Sequence, residues 1–202
     1  MALTAVAVAA LTTAALVTAP SATGPAAPPA DFGPTAGTPA RSAAAAGPDT
    51  PGRAPPPERV RVAAVGLDAR IRPVGVTGQG AVSIPADPSV AGWYRYGPAP
   101  GSSQGSAVLV GHVDSDTGAL GELAALYDVR TGDRVEVRRT GAEPVAYRIT
   151  SRSTVPKDRL SPAVFRRTGA PVLTLITCAP PFEPERGGYL SNLVVTAQPL
   201  RG

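Results

Sequence analysis

The hydrophobic and polar positions divide this chain into three stretches of different character. Residues 2–19 are an uncharged run of Ala, Val, Leu and Thr, and at 1.5 Å per residue such a run is about long enough to cross the hydrocarbon core of a bilayer once. It predicts a membrane anchor or signal segment over residues 1–19. Its Ala and Thr make it only mildly apolar and no Lys or Arg precedes it, so an ordinary core helix is the plainer alternative. Residues 20–58 hold 11 prolines among many Ala, Gly and Ser, with almost no large apolar side chain whose burial would offset the entropy of ordering them. This stretch reads as a disordered linker. From residue 59 to residue 202 the pattern becomes short alternating runs. Arg59-Val60-Arg61-Val62 and Ala69-Arg70-Ile71-Arg72 interleave charged and apolar side chains as half-buried strands do. Further strands are expected over 82–84, 106–110, 172–176 and 193–196, with a hairpin of 134–138 and 145–149 turning at Gly141. Residues 120–127 are the best helix candidate, bounded by Gly118, Gly121 and the Thr131-Gly132 turn. Eight short strands separated by turn signals, with one or two short helices, predict a mainly β domain closed into an eight-stranded barrel.

Composition supports one β domain and narrows its partners. The 24 prolines and 22 glycines argue against long helices. A net charge of +4 is spread over arginines that look scattered along the sequence, and aromatic residues make up only 4%, too few for the stacking platforms that bind single strands. Nucleic acid is not expected as a partner.

The chain has one cysteine and one histidine, and each closes a strand-like apolar run. Cys178 ends Thr174-Leu175-Ile176-Thr177-Cys178 and precedes Ala179-Pro180-Pro181, where proline should end ladder pairing and leave the thiol at a strand terminus. His112 ends Val108-Leu109-Val110-Gly111-His112 and precedes the polar loop from Asp114. A lone cysteine cannot form an internal disulfide, and a thiol at a strand mouth with an imidazole partner is the equipment for nucleophilic acyl transfer. Such a thiol is expected to alkylate faster than a free one. Either residue taken alone reads as structural, an inert core thiol or a satisfied imidazole. Asp114 could orient the ring or simply be solvated. Arg186, on the loop before the last strand, could hold substrate carbonyls or a tetrahedral oxyanion; just after the two acids Glu183 and Glu185 it could equally form a surface ion pair. One His and one Cys do not make a closed metal site, and no Gly-x-Ser-x-Gly elbow is present.

These pieces together resemble a sortase, the cysteine transpeptidase family of Gram-positive surfaces. Thr174-Leu175-Ile176-Thr177-Cys178, the arginine-bearing loop after it and Asn192-Leu193-Val194-Val195-Thr196 carry the likeness. Gly92-Trp93-Tyr94, Gly97-Pro98-Ala99-Pro100-Gly101, Gly111-His112-Val113-Asp114 and Gly132-Asp133 resemble the actinobacterial branch called class E or F. The resemblance implies an eight-stranded sortase barrel, no cofactor, and a site of Cys178, His112 and Arg186. In that picture Cys178 cleaves an LPXTG-like signal between Thr and Gly through a thioester. An amine from a cell-wall precursor or another surface protein then resolves it. It further implies a monomer on a single-pass N-terminal anchor with its catalytic domain outside the cell, and a substrate-recognition loop over roughly residues 151–171. Many sortases carry their arginine about a dozen residues after the cysteine, where this chain has Leu190 and Ser191; Arg186 takes the role as the only arginine between Cys178 and the last strand. Two rival readings remain: a cysteine peptidase or hydrolase with water as acceptor, and a surface binding module whose dyad is idle. Papain-like enzymes place cysteine before histidine, the reverse of this chain, and L,D-transpeptidases need a second histidine that it lacks.

Overall fold

The computed structural model describes residues 27–34 and 54–200. The expected anchor over 1–19 and most of the linker lie outside these residues, and among the described residues no helix is long and apolar enough to cross a membrane.

Eight strands form a closed barrel: β1 (Pro57–Val62), β2 (Leu67–Val74), β3 (Val90–Tyr94), β4 (Ser106–Val110), β5 (Arg134–Arg139), β6 (Ala142–Pro156), β7 (Val172–Glu183) and β8 (Gly188–Pro199). Their order around the barrel is β1-β2-β3-β4-β7-β8-β6-β5, with β1 pairing back onto β5. The barrel expected from the pattern is the observed one. Two of its contacts, β2 with β3 and β4 with β7, are parallel; the others are antiparallel.

Three elements differ from expectation. Residues 82–84 form no strand and only Val82 bridges, to Val76. The third strand is β3, four of whose five residues are buried, so it offers no alternation to read. The helix candidate is a single 3-10 helix, Glu122–Tyr127. Beyond Cys178 the two prolines disturb pairing without ending it: the β7–β8 register shifts between Ala179 and Phe182, then resumes with Phe182 opposite Tyr189.

The residues of β4, β7 and β8 sort onto two buried faces. Leu109, Leu173, Leu175, Leu193 and Val195 fill the barrel interior. Val108, Val110, Ile176 and Val194 point to the other face, where Val164 and the partly buried Val155, Leu160, Phe165 and Tyr94 cover them. The β6–β7 connection, with its 3-10 turns Lys157–Arg159 and Pro162–Phe165, therefore roofs one wall of the barrel and creates a second apolar cluster outside it.

Part of the expected linker is ordered against the barrel. Past Ile149, β6 has lost β5 as a neighbour, which leaves backbone donors and acceptors open. Phe32 fills them, exchanging two backbone hydrogen bonds of 2.9 Å with Arg152. Asp31 accepts from Thr154 N at 2.8 Å, and Arg152 donates to Ala30 and Val129 and carries its guanidinium 5.0 Å over the Phe32 ring. Phe32 is the one large apolar side chain between residues 20 and 58, and the linker is anchored there because it alone has something to bury.

Register also gathers arginines that look scattered in sequence. On the outer face of β1, β2, β5 and β6, Arg59 lies between Arg70 and Arg138, Arg134 faces Arg148, and Arg61 and Arg72 flank them on alternate, outward positions. Asp68 and Glu136 are the acids among them, and among the described residues only Arg59 of this group forms an ion pair, with Asp68. Like charges directly across a ladder oppose each other. Replacing Arg138 with Glu is expected to raise stability by about 0.5 kcal/mol, read as a higher urea midpoint at unchanged slope; an unchanged or lower midpoint contradicts the repulsive row.

Candidate functional site

Parallel pairing of β4 with β7 builds the site. Val110 lies opposite Ile176, Gly111 N donates to Ile176 O at 3.1 Å, and Thr177 Oγ1 donates to Gly111 O at 3.0 Å. His112 follows this pair by two residues, just past the end of β4, and Cys178 by two residues along β7, so both stand at the same rim. Cys178 keeps the alternation of β7 and shares the face of Ile176 with the outer apolar cluster. Two glycines let the 3-10 helix close up beneath His112. A Cβ on Gly111 would come within 2.9 Å of Leu123, and one on Gly121 within 2.5 Å of the His112 carbonyl.

Hydrogen bonds fix the side chains around this rim. His112 Nε2 lies 2.8 Å from Pro85 O; a carbonyl only accepts, so Nε2 carries the proton and Nδ1 is the nitrogen left for proton transfer. Tyr127 OH donates to Cys178 O at 3.1 Å, and Tyr189 OH donates to Asp114 Oδ2 at 2.5 Å. Asp114 therefore holds Tyr189, and the imidazole is oriented by the Pro85 carbonyl. Among the described residues no hydrogen bond joins His112 to Cys178 directly.

Burial raises the Cys178 pKa; Lys157 pulls it down and Asp114 pushes it further up. Tyr127 is pushed up to about 12, by burial first and then by the negative charge of Cys178 and Asp114. Tyr189 rises too, through burial and its bond to Asp114. Both phenols are therefore neutral donors at physiological pH. Burial likewise favours the neutral thiol over the thiolate that fast alkylation would need.

The domain so described matches the family model "Sortase domain" over residues 60–200. This chain belongs to the sortase family. Sortases are cysteine transpeptidases. Solved sortases share the fold at low sequence identity. The pilus island 1 sortase C2 of group B Streptococcus matches at 22% identity with a TM-score of 0.54, covering 71% of this chain and 73% of its own. Sortase C-1 of Actinomyces oris matches at 19% and 0.54 over 71% and 73%, and sortase A of Listeria monocytogenes at 19% and 0.54 over 73% and 88%. No curated protein matches.

Arg186 does not join the cysteine and histidine in this sortase. It lies in the 3-10 turn Pro184–Arg186 at the tip of the β7–β8 hairpin, its side chain 66% exposed and its Nη1 3.1 Å from Glu183 Oε2. The hairpin rows run from Cys178 opposite Asn192 out to Glu183 opposite Gly188, which sets Arg186 beyond the far end from the thiol. The cation that acts on Cys178 is Lys157, at the end of β6. Sequence reasoning passed over Lys157, Tyr127, Tyr189 and Pro85. In a chain this poor in aromatics, a tyrosine ending the helix candidate and another beside the Arg186 loop were the available signals.

The rate of Cys178 alkylation by iodoacetamide should rise with pH through a midpoint above that of free cysteine. Lys157→Glu is expected to move the midpoint up and Asp114→Asn to move it down; the reverse order refutes the charge arrangement. Because the folded thiol holds its proton more tightly than the unfolded one, its contribution to stability is complete below the unfolded pKa of about 8.5 and lost as pH climbs through the folded value.

Proposed function

We propose that this sortase cleaves an LPXTG-like sorting signal between Thr and Gly and transfers the new carboxyl end to an amine of a cell-wall precursor. The observation that carries the reading is the one rim shared by Cys178 and His112, beside an apolar face formed by Val110, Ile176, Val194, Val164 and Tyr94. That cluster is buried under the β6–β7 connection, so the peptide meets the protein at the rim itself, with its Thr-Gly bond at the thiol.

The chemistry follows from the protonation state. In the minor fraction of molecules that carry thiolate and imidazolium together, the sulfur adds to the Thr carbonyl carbon. The tetrahedral adduct then collapses, the C–N bond breaks, and the His112 imidazolium gives its proton to the departing glycine amine, leaving a thioester on Cys178. An incoming amine attacks the thioester, gives a proton to neutral His112, and the C–S bond breaks to return the thiolate. Arg186 holds backbone carbonyls of the bound peptide when the hairpin tip folds over it. Gly187 and Gly188, at φ 86° and 102°, supply the backbone freedom for that movement.

The motifs around Trp93, His112 and Gly132 support an actinobacterial class E or F assignment. Residues 2–19 support a single-pass membrane anchor with the domain outside the cell, and surface proteins with a C-terminal sorting signal as partners.

Incubation of the full chain with LPXTG and LAXTG peptides and glycine amines, followed by mass spectrometry, tests the reading. A thioester adduct on Cys178 and an amine-capped product are expected, with Cys178→Ala abolishing both and His112→Ala lowering turnover at least about a hundredfold. Cleaved peptide with no amine attached would favour the hydrolase, and no adduct with any peptide would overturn the transpeptidase assignment.

A further inference from the structure

Asn192 stands directly across the ladder from the nucleophile position. β8 pairs Asn192 with Cys178 on one side and with Val155 on the other. Residues opposite each other in antiparallel strands project on the same face, with Cβ atoms about 4.5–5.5 Å apart. Here that face is the one holding Ile176, Val194 and Val155, so the row Val155-Asn192-Cys178 places a single carboxamide beside the thiol at the apolar wall. Asn192 is half-buried, and its side chain has no hydrogen-bond partner among the described residues. The carboxamide is not among the buried unpartnered groups of the described residues, so its N–H donors stay open to water and to a carbonyl bound at the rim.

We propose that Asn192 is a catalytic donor, its Nδ2 hydrogen-bonding the oxyanion that forms when Cys178 adds to a carbonyl. The inference rests on Cys178 being acylated, as the proposed function requires. As sulfur adds, the carbonyl π pair moves onto oxygen and a full negative charge develops there; a fixed donor aimed at that oxygen lowers the barrier without binding the ground state as tightly. Arg186 is engaged at the hairpin tip with Glu183, whereas Asn192 is held in place by the ladder itself. A neutral donor also leaves the thiol protonated at rest, in keeping with the upward displacement of Cys178, where a guanidinium at the same position would draw it down.

The test compares two reactions of the same thiol in the full chain. Acylation by p-nitrophenyl acetate passes through an oxyanion and needs no sorting signal; alkylation by iodoacetamide displaces iodide and passes through none. Asn192→Ala and the nearly isosteric Asn192→Asp are each expected to slow acylation about tenfold to a hundredfold. An activated ester leaves this loss at or below the low end of the 10²–10³ seen for removing an oxyanion donor. Asn192→Ala should leave the alkylation rate and its pH midpoint unchanged. The ratio of the two rates is the readout, and the melting temperature of Asn192→Asp reports whether the ladder is intact. A folded Asn192→Asp with the wild-type ratio overturns the inference, as does an equal loss of both reactions in Asn192→Ala. Failure of the sorting peptides to react, with the ester ratio still dependent on Asn192, would overturn the transpeptidase reading and leave this assignment standing.

Discussion

Everything at the candidate site depends on the parallel ladder between β4 and β7. These strands are distant in sequence, yet their register from Ser106 opposite Val172 to Val110 opposite Ile176 is continuous. Two residues beyond its end lie the only imidazole and the only thiol of the chain. Because side chains alternate with a period of two, a slip of one residue in β7 would turn Cys178 into the barrel and bring Thr177 out. The large apolar residues oppose such a slip from both sides: Leu173 and Leu175 fill the interior, while Ile176 packs with Val110 and Val194 outside. A strand buried on both faces has little freedom to shift register, and the position of the sulfur inherits that rigidity.

The electrostatics of the rim follow from the same burial. Partial withdrawal from water disfavours the thiolate, Asp114 adds to the effect and Lys157 works against it. Tyr127 holds the Cys178 carbonyl and Tyr189 occupies Asp114, so both phenols and the Asp114 carboxylate are tied down. A resting neutral thiol suits an enzyme that must wait for its peptide. The cost is a small reactive fraction, and stabilisation of charge is deferred to the step in which the oxyanion forms.

The barrel was legible because its strands alternate over most of their length and its turns carry glycine and proline. β3 was not, since a strand buried on both faces has no period, and residues 82–84 alternate briefly but make only one bridge, from Val82 to Val76. The ends of β6 and β7 were also hidden: β6 runs on to Pro156 because β8 continues beside it, and β7 resumes beyond its prolines because Phe182 packs on Tyr189. Of the site, Cys178 and His112 stood out as single residues at strand ends. Arg186 was chosen by its place in the sequence, but the hairpin tip carries it away from the thiol and toward Glu183. Asn192 could be found only from cross-strand register, which no local pattern encodes. The arginine face was invisible for the same reason, and Phe32 anchors the linker through an open edge of β6 that exists only in three dimensions.

The central claim is that His112 and Cys178 share one rim. It is tested most directly by placing a second thiol at the histidine position and treating the His112→Cys variant with dibromobimane, which becomes fluorescent when both of its arms have alkylated neighbouring sulfurs. The parallel register predicts bright fluorescence and the mass of one intramolecular bridge between residues 112 and 178. Two separate single-arm adducts, with no bridged species in the folded protein, would contradict it.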